Sequence, residues 1–259
     1  MFMRFFKVLK NYKDLIGHLI LFELKSNVAR TYLGLLWWIL DPLLYMAVFY
    51  ILVQLILQRG GPDYSQFLFT VLIPLKWTIS CLVDSTNSIA AKRSIINQIY
   101  VPKVIFVIVK LGINSVKFLL GLLILFIFLA ISGVDFGINL SFLPIIIMVH
   151  ALFLFGTMLI LAHIGVYFKD IRNMMQYISR MLYYFSPVLF SVDDVPGKLA
   201  KLLYLNPFTT LFESYRNTLM YGEAPQFTGL FVLIIIGLML LNIGIRIMEK
   251  YDKKYVKVI

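Results

Sequence analysis

The sequence predicts an all-α integral membrane protein, and three observations carry that expectation. Hydrophobic residues make up 61% of the 259 positions and charged residues 14%, with a mean hydropathy of +0.88, a balance foreign to water-soluble domains. Several apolar runs reach the ~20 residues that a helix needs to cross a hydrocarbon core of about 30 Å. Lys and Arg gather at the ends of those runs, where anionic lipid headgroups meet them. The net charge of +11 therefore points to membrane lipids and not to nucleic acid, since no basic stripe with interleaved aromatics lies elsewhere.

Residues 2–24 read as an amphipathic interfacial helix. Phe2, Phe5, Phe6, Leu9, Tyr12, Ile16, Leu19 and Ile20 share one face at helical spacing, while Arg4, Lys7 and Lys10 project from the other toward headgroups. Basic residues continue past Lys13, and the first apolar stretch holds His18 and Glu23 with no small-residue cleavage site behind it. The segment is thus expected to stay attached and not to serve as a signal peptide. Six spans follow by hydropathy, at 33–57, 67–91, 104–132, 142–168, 174–190 and 227–248, the fifth of them short. With the N-terminus in the cytoplasm, sixteen basic residues fall on that side, in 1–33, 91–103, 169–173 and 246–259. Arg59, Lys198, Lys201 and Arg216 fall on the other. The positive-inside rule predicts a multi-pass protein of the cytoplasmic (inner) membrane with both termini in the cytoplasm.

Between the fifth and sixth spans, residues 191–226 are semi-apolar yet punctuated by Pro196, Gly197, Pro207, Gly222 and Pro225. Segments 199–205 and 208–221 are too short or too polar to cross, and they read as a pair of re-entrant or interfacial helices on the outer side. Such backbone is tolerated at membrane depth only where protein or a wet cavity satisfies it, which points to a gate or pore mouth. The chain is then one transmembrane domain, 1–259. It comprises cytoplasmic interfacial helices (1–32), five spans (33–190), outer gate helices (191–226) and a sixth span with a cytoplasmic tail (227–259).

The motifs exclude as much as they suggest. No G-x-x-x-x-G-K-[ST] loop occurs, so the chain does not cradle nucleotide phosphates in that manner. No H-E-x-x-H occurs, and His18, His150 and His163 are too scattered for a metal site. Cys81 is the sole cysteine and reads as a small packing residue. A membrane-embedded transferase would need acidic or His groups near a membrane face; the adjacent carboxylates Asp193-Asp194 lie instead on the expected outer loop. The chain is read as a non-enzyme without its own cofactor, powered from elsewhere.

Three groups of residues remain as functional candidates. The connector 91–103, AKRSIINQIYVPK, predicts a short helix with Lys92 and Arg93 at its start and Pro102 beyond its end. It would present Ile95, Ile96, Ile99 and Tyr100 either to a docking ATPase or, as an ordinary interfacial loop, to nothing in particular. The connector 167–173 is similarly compact, with Lys169, Asp170 and Arg172. Within the spans, where polar groups are costly, Lys110, Asn114 and Lys117 share a face, and Asp84, Ser85, Asn87 and Ser88 make the inner half of the second span polar. Lys117 lies about 21 Å along its helix from Lys103, where it either pairs with Asp84 or faces a wet cavity fit for an anionic headgroup. Lys110 is near enough to the surface to snorkel. Aromatics, 15% of the chain, include Trp37, Trp38, Tyr45, Phe49, Tyr50, Tyr183, Tyr184 and Phe185; they serve as belts and lipid-facing packing or line a conduit whose walls suit sugar rings.

The stretch RTYLGLLWWILDPLL at residues 30–44 resembles the opening signature of ABC-2 type permeases of polysaccharide exporters. The likeness continues in order through IPLKW (73–77), Tyr100-Val101-Pro102, YFKDI (167–171), SPVLF (186–190) and NPFTTLFESYRNTLMYG (206–222). The resemblance implies a six-helix permease that dimerises with itself and joins two ATP-binding subunits, which hold the ATP and Mg. Its cargo would be a lipid-linked glycan such as an O-antigen, capsule or teichoic acid, a small lipid or drug being the rival cargo within the superfamily. It implies further that Lys92, Arg93, Ile96, Ile99, Tyr100, Lys169 and Asp170 serve coupling to the ATPase, and that Trp37, Tyr45, Phe49, Trp77, Tyr183, Tyr184 and Phe185 line the glycan path. Arg4, Lys7, Lys110 and Lys117 would meet lipid headgroups or the anionic linkage. Phe208 with Glu213 and Arg216 would serve the outer gate, the last two three apart on one helix face and as readable as a structural salt bridge. The sequence departs from relatives at 74–77, where Lys76 stands near the expected outer rim.

Overall fold

The computed structural model describes residues 2–29, 31–34, 36–56, 58 and 61–258; Arg30 and Arg59, and the side chains of Phe2, Arg4 and Phe6, lie outside what it describes. Every regular element among these residues is helical. The interfacial segment is two helices, α1 (Phe2–Asn11) and α2 (Lys13–Ala29). The backbone stays bonded across the break, the Tyr12 N–H donating to Val8 O at 3.0 Å and the Tyr12 carbonyl accepting from Ile16 N–H at 2.9 Å. Phe5, Val8, Ile16, Leu19 and Ile20 turn toward the bundle and pack on its core, while Lys7 and Lys10 face out.

Helix α3 (Leu36–Tyr50) continues as a π-helical segment, Ile51–Ile56, and α4 covers Tyr64–Ser85. A turn at Ala90–Lys92 leads into the short α5 (Arg93–Gln98), which ends as Ile99 turns extended ahead of Pro102. Helices α6 (Val104–Ile131) and α7 (Leu143–Tyr167, entered through a 3₁₀ segment at Ile138–Phe142) follow. Helix α8 (Ile171–Phe185) is next, then α9 (Gly197–Leu203), then α10 (Pro207–Arg216) with a π-helical extension Asn217–Tyr221, and finally α11 (Phe227–Val258). Among the described residues, five helices are long and apolar enough to cross a membrane: Leu36–Ile56, Tyr64–Ser85, Val104–Ile131, Ile138–Tyr167 and Phe227–Val256.

The expected fifth span is displaced. Helix α8 starts at Ile171 and stops at Phe185 because Ser186 precedes Pro187 and adopts an extended backbone, φ −112° and ψ 156°, as the proline ring demands of its neighbour. Its 15 residues span about 22 Å, short of a full crossing. The sixth segment runs ten residues further than hydropathy suggests, carrying the charged tail on a continuous helix.

Helix α4 is the axis of the bundle, with 72% of its most apolar window enclosed against 6% for α3. Small residues set the close approaches. A Cβ on Gly156 would lie 2.7 Å from the Leu241 backbone nitrogen, and one on Gly244 would lie 2.6 Å from Leu159 Cβ, so α7 and α11 pack backbone to backbone. A Cβ on Gly165 would overlap the Thr86 carbonyl oxygen beyond the end of α4.

The two ends of the bundle differ. At one, α2 meets α6 through an ion pair from Glu23 to Lys110, and the α5 connector meets the tail of α11 through Tyr100 and Asp252; both termini belong to this pole. At the other, the Asn139 amide donates to Gly222 O at 2.8 Å and the Tyr64 hydroxyl donates to Leu189 O at 3.3 Å. Helix α10 lies there with Phe208 through Arg216 all buried. Asn206 caps it, Oδ1 accepting from Phe208 N–H at 3.1 Å, and Pro207 occupies the first turn.

Candidate functional site

Ile73, Trp77, Ser80, Asp84 and Asn87 recur on α4 and its continuation every three or four residues, with Lys76 four before Ser80, so they form one stripe. That stripe is the floor of three adjoining clefts of about 200, 450 and 100 Å³. Lys76 and Ser80 are common to the first and second; Val83 and Asp84 are common to the second and third. The result is a groove running from the middle of the bundle to the pole that holds both termini. One wall is α3, with Trp37, Trp38 and Asp41; the other is α8, with Arg172, Gln176, Ser179, Arg180 and Tyr183; α6 adds Lys110, Asn114 and Lys117.

Most of the groove's charges have partners. Lys76 pairs with Asp41 and sits 4.8 Å over the Tyr45 ring. It lies 12 residues into α4, roughly 18 Å from the helix start, so its expected place at the outer rim is corrected to mid-depth. Lys110 does not snorkel: Nζ lies 2.7 Å from Glu23 Oε2, and the same carboxylate pairs with Lys92. Burial pushes the Glu23 carboxyl up, but the hydrogen bonds and charges of Lys110 and Lys92 outweigh it and hold the group below its ordinary 4.5. The Lys117–Asp84 alternative is resolved against a direct pair. Asp84 Oδ2 accepts from the Asn114 amide at 3.1 Å, while Lys117 Nζ faces the groove, 5.6 Å above the Trp38 ring.

The aromatic candidates divide. Trp37, Tyr45, Tyr184 and Phe185 are exposed on the α3 and α8 face, where Tyr183 stacks on Tyr45 and on Phe49, each with centroids 5.9 Å apart. Trp77 is the exception: 3% exposed and stacked on Phe118 at 4.2 Å, it is a wall of the bundle and not an open surface. Behind it lies a buried polar chain that the sequence did not signal. His150 is 2.9 Å from Thr78 Oγ1 and 3.3 Å from Tyr215 Oη, tying α7 to α4 and α10.

The coupling candidates also divide. Arg93, Ile99, Tyr100, Lys169 and Asp170 are exposed. Ile96 is 5% exposed and packs into the core, because on a six-residue helix lying on the bundle one side must face inward; Lys92 is turned to Glu23. Tyr100 is latched: its hydroxyl donates to Asp252 Oδ2 at 2.8 Å, Asp252 Oδ1 accepts from Lys103 N–H at 2.9 Å, and the buried Lys103 ammonium lies 3.7 Å from the carboxylate. That hydrogen bond, with burial and the Asp252 charge, pushes the Tyr100 hydroxyl up to about 12. The gate candidates are enclosed. Arg216 donates to Glu213 at 2.6 Å and to Pro187 O at 2.8 Å, its guanidinium is 3.6 Å from the Phe67 ring centre, and Phe208 packs on Phe153.

The chain is thus a multi-pass helical bundle with a short amphipathic eighth helix and a polar groove behind an open aromatic face. Residues 15–220 match the ABC-2 type transporter family, and the chain belongs to it. Among its relatives is the O-antigen export system permease protein RfbA of Klebsiella pneumoniae, 25% identical over 92% of both chains. The protein of the same name from Myxococcus xanthus is 23% identical over 97% of this chain and 98% of its own. The polysialic acid transport protein KpsM of Escherichia coli is 24% identical over 91% and 92%.

Proposed function

We propose that this chain is the permease subunit of an ATP-driven exporter carrying a lipid-linked polysaccharide, of O-antigen or capsule type, across the cytoplasmic membrane. ATP and Mg are held and turned over by a separate subunit. The names of the relatives and their near-complete overlap with this chain favour a polysaccharide over a small lipid or drug.

The observation that carries the reading is the aromatic face of α3 and α8. Its stacked and exposed rings, Trp37, Tyr45, Phe49, Tyr183, Tyr184 and Phe185, offer apolar surfaces edged with hydroxyls, the surface on which sugar rings lay their C–H faces. Only 6% of the α3 window is enclosed within one chain, so a second copy facing it would close a conduit between two such faces. In this arrangement α8 with residues 186–190 is the fifth of six crossings, α9 and α10 form the outer pair, and both termini are cytoplasmic. Two ATP-binding subunits dock below Arg93, Ile99, Tyr100, Lys169 and Asp170, and Lys7 rests among headgroups.

The test is co-purification with the ATP-binding subunit in lipid, followed by hydrolysis measured with and without lipid-linked O-antigen. The expected result is a complex of two chains with two ATP-binding subunits whose hydrolysis rises with the glycan. A stable monomer that retains no ATP-binding subunit, or hydrolysis indifferent to the glycan, would reject the assignment.

A further inference from the structure

A further cleft, of about 650 Å³, shares no residue with the groove. Its floor is a stripe of α11 at helical spacing, Thr228, Gly229, Val232, Leu233, Ile236 and Leu240. Phe153 of α7 lines it as well, and Tyr204, Leu205, Pro207 and Thr210 line the side toward α10.

The cleft is polar at one end and apolar along the rest. At the pole opposite the termini, the Gln226 amide donates to the Tyr204 hydroxyl at 3.0 Å, and Thr228 is the first residue of the stripe. Lys201, in the last turn of α9, precedes Tyr204 and Leu205 by three and four residues, so it lies on their face. It is exposed and makes no ion pair among the described residues. From Thr228 to Leu240 the stripe runs about 18 Å, close to the depth of one leaflet, half of a ~30 Å hydrocarbon core. It stops where α7 and α11 meet: a Cβ on Gly156 would lie 2.8 Å from Leu240 Cβ.

Between helices in lipid no hydrophobic force closes such a gap, so a chain of the bilayer fills it. The depth suits one acyl chain and not a polyprenyl chain, which is longer than a leaflet is deep. The Lys201 ammonium beside a hydroxyl and an amide suits a phosphate. We propose that this cleft binds one glycerophospholipid of the leaflet at the pole opposite the termini, with an acyl chain along α11 and the phosphate at Lys201, Tyr204 and Gln226. Pro207 and Thr210 line the same cleft, so the bound chain packs against the first turn of α10. The site rests on the membrane-spanning bundle and not on the cargo, so its failure leaves the permease reading untouched.

Native mass spectrometry of the purified protein, titrated in detergent with defined lipids, tests it. One dioleoyl phosphatidylglycerol or dioleoyl phosphatidylethanolamine per chain should be retained at least about tenfold better than dioleoylglycerol, which lacks the phosphate. Ile236→Trp, which fills the cleft, should lose that preference, and Lys201→Gln should narrow it about fivefold. Ile235→Trp, the same change on the exposed neighbouring face of α11, should keep it. On unaltered protein, a phospholipid carrying a diazirine at the end of one acyl chain should crosslink within residues 232–240. Equal retention of dioleoylglycerol, an unchanged preference in folded Ile236→Trp or Lys201→Gln protein, displacement of the phospholipid by an equal amount of undecaprenyl phosphate, or crosslinks only outside 232–240 would overturn the proposal.

Discussion

Glu213 and Arg216 are both enclosed, so each depends on the other to hold a charge away from water. Breaking a buried pair from one side costs about 3–5 kcal/mol, because the abandoned charge keeps its desolvation penalty. Glu213→Ala should therefore lower the melting temperature in detergent sharply, while Glu213→Ala/Arg216→Met, which removes both charges, should recover most of the loss. Their spacing was legible in the sequence; that Pro187 O and Phe67 complete the guanidinium's surroundings was not, since those partners arrive from distant segments. Glu23 was visible only as an oddity in an apolar stretch, and its role as a clamp on Lys92 and Lys110 depends on tertiary packing. Its depressed folded value fixes the sign of a pH effect. The clamp contributes its full stability above the unfolded value near 4.5 and loses it as pH falls through the lower folded value. Melting curves taken from about pH 6 downward should show unaltered protein losing more stability than Glu23→Gln.

Helices α3, α4, α6, α7 and α11 were readable because hydropathy needs no tertiary information. Helix α8 was harder: its polar stripe dilutes the apolar signal, and the stop at Phe185 follows from a single X-Pro step that a hydropathy window averages away. The connector is the element whose chemistry changed most. Tyr100 is tied by its hydroxyl to the tail of α11, so Tyr100→Phe separates the latch from the ring. It should cost about 1 kcal/mol and reduce glycan-stimulated hydrolysis while leaving membrane insertion intact; unchanged stimulation would confine Tyr100 to packing. Gly165 tests the α7 approach to the end of α4. Gly165→Ala must push the Thr86 backbone aside, and should lower thermal stability by at least as much as a core cavity does, about 2–5 kcal/mol; Ala at the open Gly197 should not.

At the scale of the molecule, two asymmetries organise the account. One pole gathers both termini, the connector and the clamp, all joined by charge, while the other is joined through loop backbone and the enclosed α10. Across the bundle, α4 is packed on nearly every side and α3 on almost none, which leaves an aromatic face in search of a partner and a polar groove behind it. Reconstituted proteoliposomes holding this chain, its ATP-binding subunit and a fluorescent lipid-linked O-antigen test the central claim most directly. With ATP supplied on the face that holds both termini, the glycan should become accessible on the opposite face at a rate that ATP sets. Movement without ATP, or ATP hydrolysis with no movement of the glycan, would contradict the account.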